Sequence, residues 1–331
     1  MPGQTILLEL SGEHPTLPSA EAMACLETES PGHSCLLSGP GFLVAECEPD
    51  AVPAIAARLA LTHRLGEYLG SAPLDRLEAA LEGFDLPSGT LCVRARKVEG
   101  LHPEVNTFDL SKKVGKLLSK DHDIDLTSPD LKLRVLLSDR AHLYLERFEI
   151  DRRQFDRRKV AERPFFSPIS LHPRFARALI NLTRAREGDI VLDPFCGTGG
   201  IVLEAALLGM RAIGSDIDPG MVEGCRRNLE HFGADAQVDV SDVGDIAERF
   251  GPVQAVATDP PYGRAASTRR EDIDGLYHRS LQAMSRTVVQ GGRVCVVLPR
   301  EISGPGLRLE GLHLQRVHRS LTRHYHVFTR W

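Results

Sequence analysis

No Lys or Arg occurs before Arg58 in this chain of 331 residues, and its formal net charge is −5. That excludes a uniformly basic protein that coats nucleic acid. Any RNA contact has to come from a local patch, not from the global field. No apolar run reaches membrane-spanning length. The start lacks the basic stretch and apolar core of a secretory signal, so a cytoplasmic protein without membrane partners is expected. The seven cysteines, Cys25, Cys35, Cys47, Cys92, Cys196, Cys225 and Cys295, are odd in number and form no CxxC pair. They argue against a disulfide framework and a zinc site, and fit buried thiols in a reducing compartment. No repeat of fixed period and no low-complexity tract occurs. What remains is an ordinary globular composition of a length suited to about two domains.

Residues 1–72 alternate strand-like and helix-like patterns. Strands are expected at 5–10, 35–37, 42–46 and 61–69, with helices at 19–29 and 50–58. This β-α-β-β-α-β order is the ferredoxin-like split arrangement. Residues 73–150 bring a helix at 74–82 and a strand at 91–98 that carries Arg94, Arg96 and Lys97. A helix at 109–119 follows, then paired strands at 131–137 and 142–148. Lys112, Lys113 and Lys116 fall one helical turn apart and share a face. Residues 151–163 read as a basic linker or exposed helix holding Arg152, Arg153, Arg157, Arg158, Lys159 and Arg163. Such clusters are either RNA-facing or merely solvated.

From residue 164 the pattern changes. Apolar strands at 190–193, 211–215, 236–240, 254–258 and 293–298 alternate with helices, which implies an α/β domain with a mostly parallel sheet covered on both faces. Gly291-Gly292 is expected to form the turn before the fifth of these strands. Two further strands are expected at 307–317 and 323–328.

Asp193-Pro-Phe-Cys-Gly-Thr-Gly-Gly200 follows the first of these strands and opens a helix. Its glycines permit a tight turn and close approach of a ligand to the main chain. The loop is not GxGxxG, and Asp193 would repel a pyrophosphate while suiting an amino-acid ammonium. S-adenosylmethionine therefore fits better than a nicotinamide cofactor. Asp193, Phe195, Gly197, Thr198 and Gly199 are candidate contacts. Asp216, with Ile217 beside it, ends the next strand, where an acid accepts from ribose hydroxyls. Asp242 is placed to accept from an adenine amino group. Ser167 and Ser170, in the segment 164–173, are candidates for the methionine end. His172 is a cap or a surface residue.

Asp259-Pro-Pro-Tyr262 follows the fourth strand, which neighbours the first in a doubly wound sheet. An exocyclic amino group is a weak nucleophile and has to be oriented. Asp259 and the Pro260 carbonyl supply two acceptors for it. Pro260 and Pro261 fix the loop, and Tyr262 offers a stacking face. Cys196 is read as a packing residue, because amino methylation needs no covalent intermediate. Glu204 is read as helical surface or a local partner. His318, His324 and His326 lack a partner at ligand spacing, so no metal is expected.

The two loops, Asp216 and Gly263-Arg264 after the DPPY loop resemble the amino-methyltransferase class. With the segment 163–182 and the α, β, α, β, β pattern before it, the chain resembles the archaeal tRNA guanine-N2 methyltransferases that act on guanine 10. That resemblance implies four parts: a ferredoxin-like domain over 1–72, a THUMP RNA-binding domain over 73–150, a basic linker over 151–163 and a Rossmann-like class I methyltransferase domain over 164–331. It implies a seven-stranded, mostly parallel sheet in the last domain and tRNA as substrate, while the intact RNA-binding half points to an enzyme with no obligatory protein partner. Two rivals stand beside it. One is an adenine-N6 methyltransferase on ribosomal RNA or DNA, since DPPY serves that amino group too. The other is a non-catalytic RNA-binding protein, against which both intact loops speak.

Overall fold

The computed structural model describes residues 3–82, 86–167, 170–262, 272–319 and 321–331. Gly263-Arg264 and Pro168-Ile169 lie outside the described residues. The chain divides into two compact units: Met1–Ala57 with Leu61–Ile150, and Arg58–Ala60 with Asp151–Trp331.

The first unit runs β1 (Gln4–Leu10), α1 (Leu17–Glu29), β2 (Ser34–Gly39), β3 (Phe42–Cys47), α2 (Val52–Arg58), β4 (Thr62–Ala72), α3 (Leu77–Leu81), β5 (Leu91–Lys97), α4 (Thr107–Leu118), β6 (Leu131–Leu137) and β7 (Ala141–Glu149). The strands form one sheet in the order β2-β3-β1-β4-β7-β6-β5. The first four take the ferredoxin-like order. β4 pairs antiparallel with β7, from Arg64↔Glu149 to Ala72↔Ala141, so a single sheet spans residues 1–72 and 73–150. β5 and β6 are parallel, with α4 as the crossover between them. Asn106 caps α4 by accepting from the Phe108 N–H at 2.9 Å. α4 turns Val114 and Leu118 onto Leu91, Val93, Leu133 and Leu143 of the sheet. Each such leucine, fully buried, contributes about 1.5–3 kcal/mol. The helix expected at 74–82 is shorter. Leu74–Arg76 is a 3-10 turn, and at Arg76 the backbone (φ −111°, ψ 7°) leaves helical geometry before α3 starts.

The second unit runs α5 (Arg153–Asp156), α6 (Pro173–Leu182), β8 (Ile190–Asp193), α7 (Gly200–Ala206), β9 (Arg211–Asp216), α8 (Pro219–His231), β10 (Gln237–Val240), α9 (Ile246–Phe250), β11 (Val253–Thr258), α10 (Ile273–Thr287), β12 (Val288–Leu298), β13 (Leu307–His318) and β14 (Leu321–Arg330). Its seven-stranded sheet has the order β10-β9-β8-β11-β12-β14-β13. The first five strands are parallel, and β14 is antiparallel to both its neighbours. The chain moves outward from β8 to β10, then crosses back to β11 on the other side. The carboxyl ends of β8 and β11 therefore meet at the switch point, where open α/β sheets bind ligands.

Gly291-Gly292 is not the turn before the fifth parallel strand. β12 starts at Val288 and runs through the glycines, which form a bulge: the pairing with β11 jumps from Val253↔Val288 to Ala255↔Arg293. Gly291 takes φ +77°, and a Cβ on Gly292 would lie 2.6 Å from the Gln254 carbonyl oxygen. The extra residues need glycine on both counts.

Residues 151–163 are not an exposed linker throughout. Phe155 on α5 is fully buried, and Arg163 is 5% exposed. Phe155 and Arg163 thus pack this segment into the second unit itself.

Candidate active site

β8 ends in Asp193, and the chain must turn at once into α7. Gly199 sits in the left-handed region (φ +82°), and a Cβ there would lie 2.5 Å from Cys225 Sγ. Its role is this close packing on α8; it does not line the cavity beside it. Asp193 is buried. Its Oδ1 accepts from the Phe195 N–H at 3.1 Å and from the Thr258 hydroxyl at 2.6 Å. Burial raises its pKa to about 7, against the pull of those two hydrogen bonds.

Asp216 closes β9. Its Oδ2 accepts from the Gly197 N–H and its Oδ1 from the Asp218 N–H, each at 3.0 Å. Burial pushes its carboxyl above the usual range. Asp242 follows β10. It accepts from the Gly244 N–H at 2.7 Å and forms an ion pair with Arg279 of α10. Cys196 is buried against Gly214, as a packing residue should be.

Asp259 stands at the end of β11. Burial raises its pKa to about 7, the Arg323 guanidinium pulls it down, and the nearby Asp193 charge pushes it up. The Tyr262 hydroxyl donates to Asp259 Oδ1. Tyr277 of α10 donates to the Pro261 carbonyl at 2.9 Å and so pins the loop from behind.

These residues surround a cavity of about 530 Å³, within the range that holds a small-molecule cofactor. Its walls include Ser167, Ser170, Asp193, Phe195, Gly197, Thr198, Asp216, Ile217, Asp242 and Asp259 through Tyr262. Met221, Leu276 and Arg279 also line it, and the sequence reading missed them together with Thr258 and Tyr277. Their positions depend on helix packing, which no local motif announces.

His172 is the cap of α6, its Nδ1 accepting from the Arg174 N–H at 3.3 Å. Glu204 is not at the surface. It is fully buried, and its carboxylate takes Arg158 Nε at 2.8 Å and Arg177 Nε at 3.0 Å. Arg158 is thereby removed from the RNA-facing set; it also lies over the Phe155 ring. Lys97 is an internal tie. Its ammonium donates to the carbonyls of His102 at 3.2 Å and Val105 at 3.1 Å. Arg96 pairs with the buried Glu9. Arg94, Lys112, Lys113 and Lys116 are exposed, as are Arg153, Arg157 and Lys159, whereas Arg152 is half-buried. Lys113 pairs with Glu78, and Lys112 lies over the exposed Phe108 ring at 4.3 Å. Arg153 and Arg157 both approach Asp151, at 3.5 and 3.4 Å.

His326 is fully buried; its Nε2 accepts from the Ile302 N–H at 3.2 Å and its Nδ1 faces the His324 carbonyl at 3.0 Å. Among the described residues no group of three or more His, Cys, Asp or Glu side chains is arranged to hold a metal. Among them, too, no helix is long and apolar enough to cross a membrane.

Comparison with known proteins bears on the whole chain. The family described as RMKL-like, methyltransferase domain, matches residues 161–306. The tRNA (guanine(10)-N2)-dimethyltransferase of Methanothermobacter thermautotrophicus is 37% identical, over 98% of this chain and 99% of its own length. The protein of the same name from Pyrococcus abyssi is 37% identical, over 82% of this chain and 85% of its own length. The crystal structure of TrmN from Thermus thermophilus matches with a TM-score of 0.58 at 24% identity, over 99% of this chain and 100% of that one, and so shares its fold. With DPFCGTGG and DPPY facing one cavity and this identity from end to end, the chain belongs to the tRNA (guanine(10)-N2)-dimethyltransferase family.

Proposed function

We propose that this protein transfers methyl groups from S-adenosylmethionine to the exocyclic N2 of guanine 10 in tRNA. One observation carries the chemistry: Asp193 and Asp259, from two different strand ends, open onto the same cavity. The base and its position rest on the end-to-end identity to relatives named for guanine 10. Their names also support two successive transfers to the same nitrogen.

The residues present fit the cofactor. Asp216 keeps lone pairs on both oxygens for ribose hydroxyls, beyond the backbone N–H groups it already accepts. Asp242, oriented by Arg279, is suited to the adenine amino group. Ser167, Ser170, Phe195, Gly197, Thr198 and Ile217 complete the wall. When bound, the cofactor supplies an electrophilic methyl on a sulfonium.

The rest of the task falls to the protein. The guanine amino lone pair is delocalised into the ring, so the nitrogen has to be held in line. Asp259 accepts one amino hydrogen and the Pro260 carbonyl the other. Together they stabilise the positive charge that develops on nitrogen. Tyr277 holds the loop through the Pro261 carbonyl, and the Tyr262 ring stacks on the base. Asp259, with its pKa near 7, is matched to take up the proton that the methylated nitrogen sheds. The target base has to leave its stem first.

For RNA capture we assign a THUMP-like role to residues 73–150, through Arg94, Arg96, Lys112, Lys113 and Lys116, with Phe108 beside them. Arg152, Arg153, Arg157 and Lys159 add to it from residues 151–163. The enzyme works in the cytoplasm and without an obligatory protein partner in this reading. Incubation with labelled S-adenosylmethionine and tRNA transcripts tests it. Label should enter wild-type tRNA and vanish when guanine 10 is replaced; methyl-adenine in the digest would sink the proposal.

A further inference from the structure

Arg163 belongs by sequence to the basic stretch 151–163, but it lies buried behind the wall of the cavity. Its Nη1 donates to the Thr198 hydroxyl oxygen at 3.1 Å, and its Nε to the Arg158 carbonyl at 2.9 Å. Its Nη2 is buried with no hydrogen-bond partner among the described residues. Both terminal nitrogens lie within 3.2 Å of where a Cβ on Gly200 would stand, so that glycine lets the guanidinium reach the loop. Thr198, Gly200 and Ser170 line the cavity, and the Thr198 and Ser170 hydroxyls lie 3.3 Å apart.

Two physical facts give this cluster a direction. The first is charge. Glu204 is the carboxylate of the group, and Arg158 and Arg177 bind it directly. Arg163 forms no ion pair among the described residues. It is a third guanidinium near that carboxylate with no ion-pair partner of its own, and a buried unpaired cation is costly. Burial accordingly lowers the Arg163 pKa from its ordinary value. The second is hydrogen-bond polarity. An arginine only donates, so the Thr198 oxygen accepts from it and the Thr198 proton has to point elsewhere. The elsewhere is Ser170 or the cavity, and in either case the chain of hydroxyls ends in a donor. A positive pole behind a row of donors selects an anion.

We propose that Arg163, acting through Thr198 and Ser170, is the positioning residue for the α-carboxylate of the bound cofactor's methionine moiety. The proposal rests on the cavity being the S-adenosylmethionine site. Arg163 would then select the amino-acid end of the ligand and leave the adenosine end to Asp216 and Asp242.

Calorimetric titration with two ligands tests this. One is S-adenosylhomocysteine. The other is its decarboxylated analogue, which keeps the amine. Wild type should prefer the carboxylate-bearing ligand by about tenfold or more, the scale of a charge-assisted hydrogen bond. Arg163→Gln should cut that preference to about threefold or less, with the analogue bound as by wild type. Arg163→Lys should keep most of it. An unchanged preference in Arg163→Gln, or equal weakening of both ligands, overturns the proposal and leaves Arg163 as packing. Should Arg163→Gln not fold, Thr198→Val removes the relay hydroxyl at nearly constant volume; it should narrow the preference, and failure to do so refutes the idea. Wild type that binds neither ligand would defeat the cofactor reading itself, and this inference with it.

Discussion

The Thr258 hydroxyl donates a 2.6 Å hydrogen bond to Asp193 Oδ1, tying the end of β11 to the end of β8. Asp259 is the next residue along. The bond therefore fixes the distance between the cofactor loop and the catalytic loop. Thr258→Val keeps the side-chain shape and leaves a buried carboxylate short of one donor. It should cost about 1–3 kcal/mol of stability in denaturant unfolding. Because this bond also lowers the Asp193 pKa, its loss should raise that pKa further.

Asp259→Asn tests the catalytic acceptor. The amide keeps the volume but loses the charge that stabilises the reacting nitrogen. Turnover should fall by about 10²–10³-fold, the usual loss for one electrostatic group in a transition state. S-adenosylhomocysteine affinity should change little, because Asp259 faces the base. Single-turnover methylation and calorimetry together separate the two effects; normal turnover would refute the mechanism.

The pH dependence follows from the same carboxyls. Asp193 and Asp259 are both pushed up to about 7, and the Asp193 charge helps to push Asp259. Asp259 has to be ionised to accept from the amino group. As pH falls through about 7 it protonates and kcat/KM should decline. The two carboxyls repel each other when both are charged, so their ionisations spread into two macroscopic steps and the acid limb should be broader than for one group. A profile flat from pH 8 to pH 5.5 would show that no carboxyl in this range has to be ionised.

The two loops were legible in the sequence because glycine and proline answer backbone demands that can be read locally. Gly199 has to take a positive φ beneath Cys225, and the prolines of DPPY stiffen one acceptor. The alternation of apolar strands and helices likewise announces the sheet of the second unit. Side-chain partners were not legible. Arg158 looks like any surface arginine until Glu204, 46 residues further on, takes its charge. Lys97 looks basic, yet it serves carbonyls of its own loop. Leu276 and Arg279 join the cavity, and Tyr277 reaches Pro261, only because α10 packs against β12, α9 and the chain before α9, and no motif in α10 signals it. The bulge at Gly291-Gly292 was misread for a related reason: a glycine pair marks an irregularity without saying whether the strand ends there.

Glu204→Gln should be among the most destabilising single changes in the second unit. It removes the negative charge shared by Arg158 and Arg177 and faced by Arg163. Breaking a buried pair leaves uncompensated charge and costs about 3–5 kcal/mol. The midpoint of denaturant unfolding should fall accordingly. A change under about 1 kcal/mol would mean that water or another group already balances these arginines.

The basic segment separates surface charge from buried charge within a few residues. Arg153, Arg157 and Lys159 are exposed, and Arg158 is not. Replacing the three exposed residues by Gln should leave stability unchanged, since exposed pairs such as those with Asp151 contribute about 0–1 kcal/mol at most. If they contact phosphates, each lost contact should flatten the slope of log affinity for tRNA against log salt by about 0.7–0.9. Arg158→Gln should do the reverse. It should lower the unfolding midpoint by leaving Glu204 with one partner fewer, while the salt slope stays as in wild type. Measuring both quantities on both variants distinguishes a charge that meets RNA from one that holds the fold. An equal loss of salt dependence in Arg158→Gln would return that residue to the RNA-facing set.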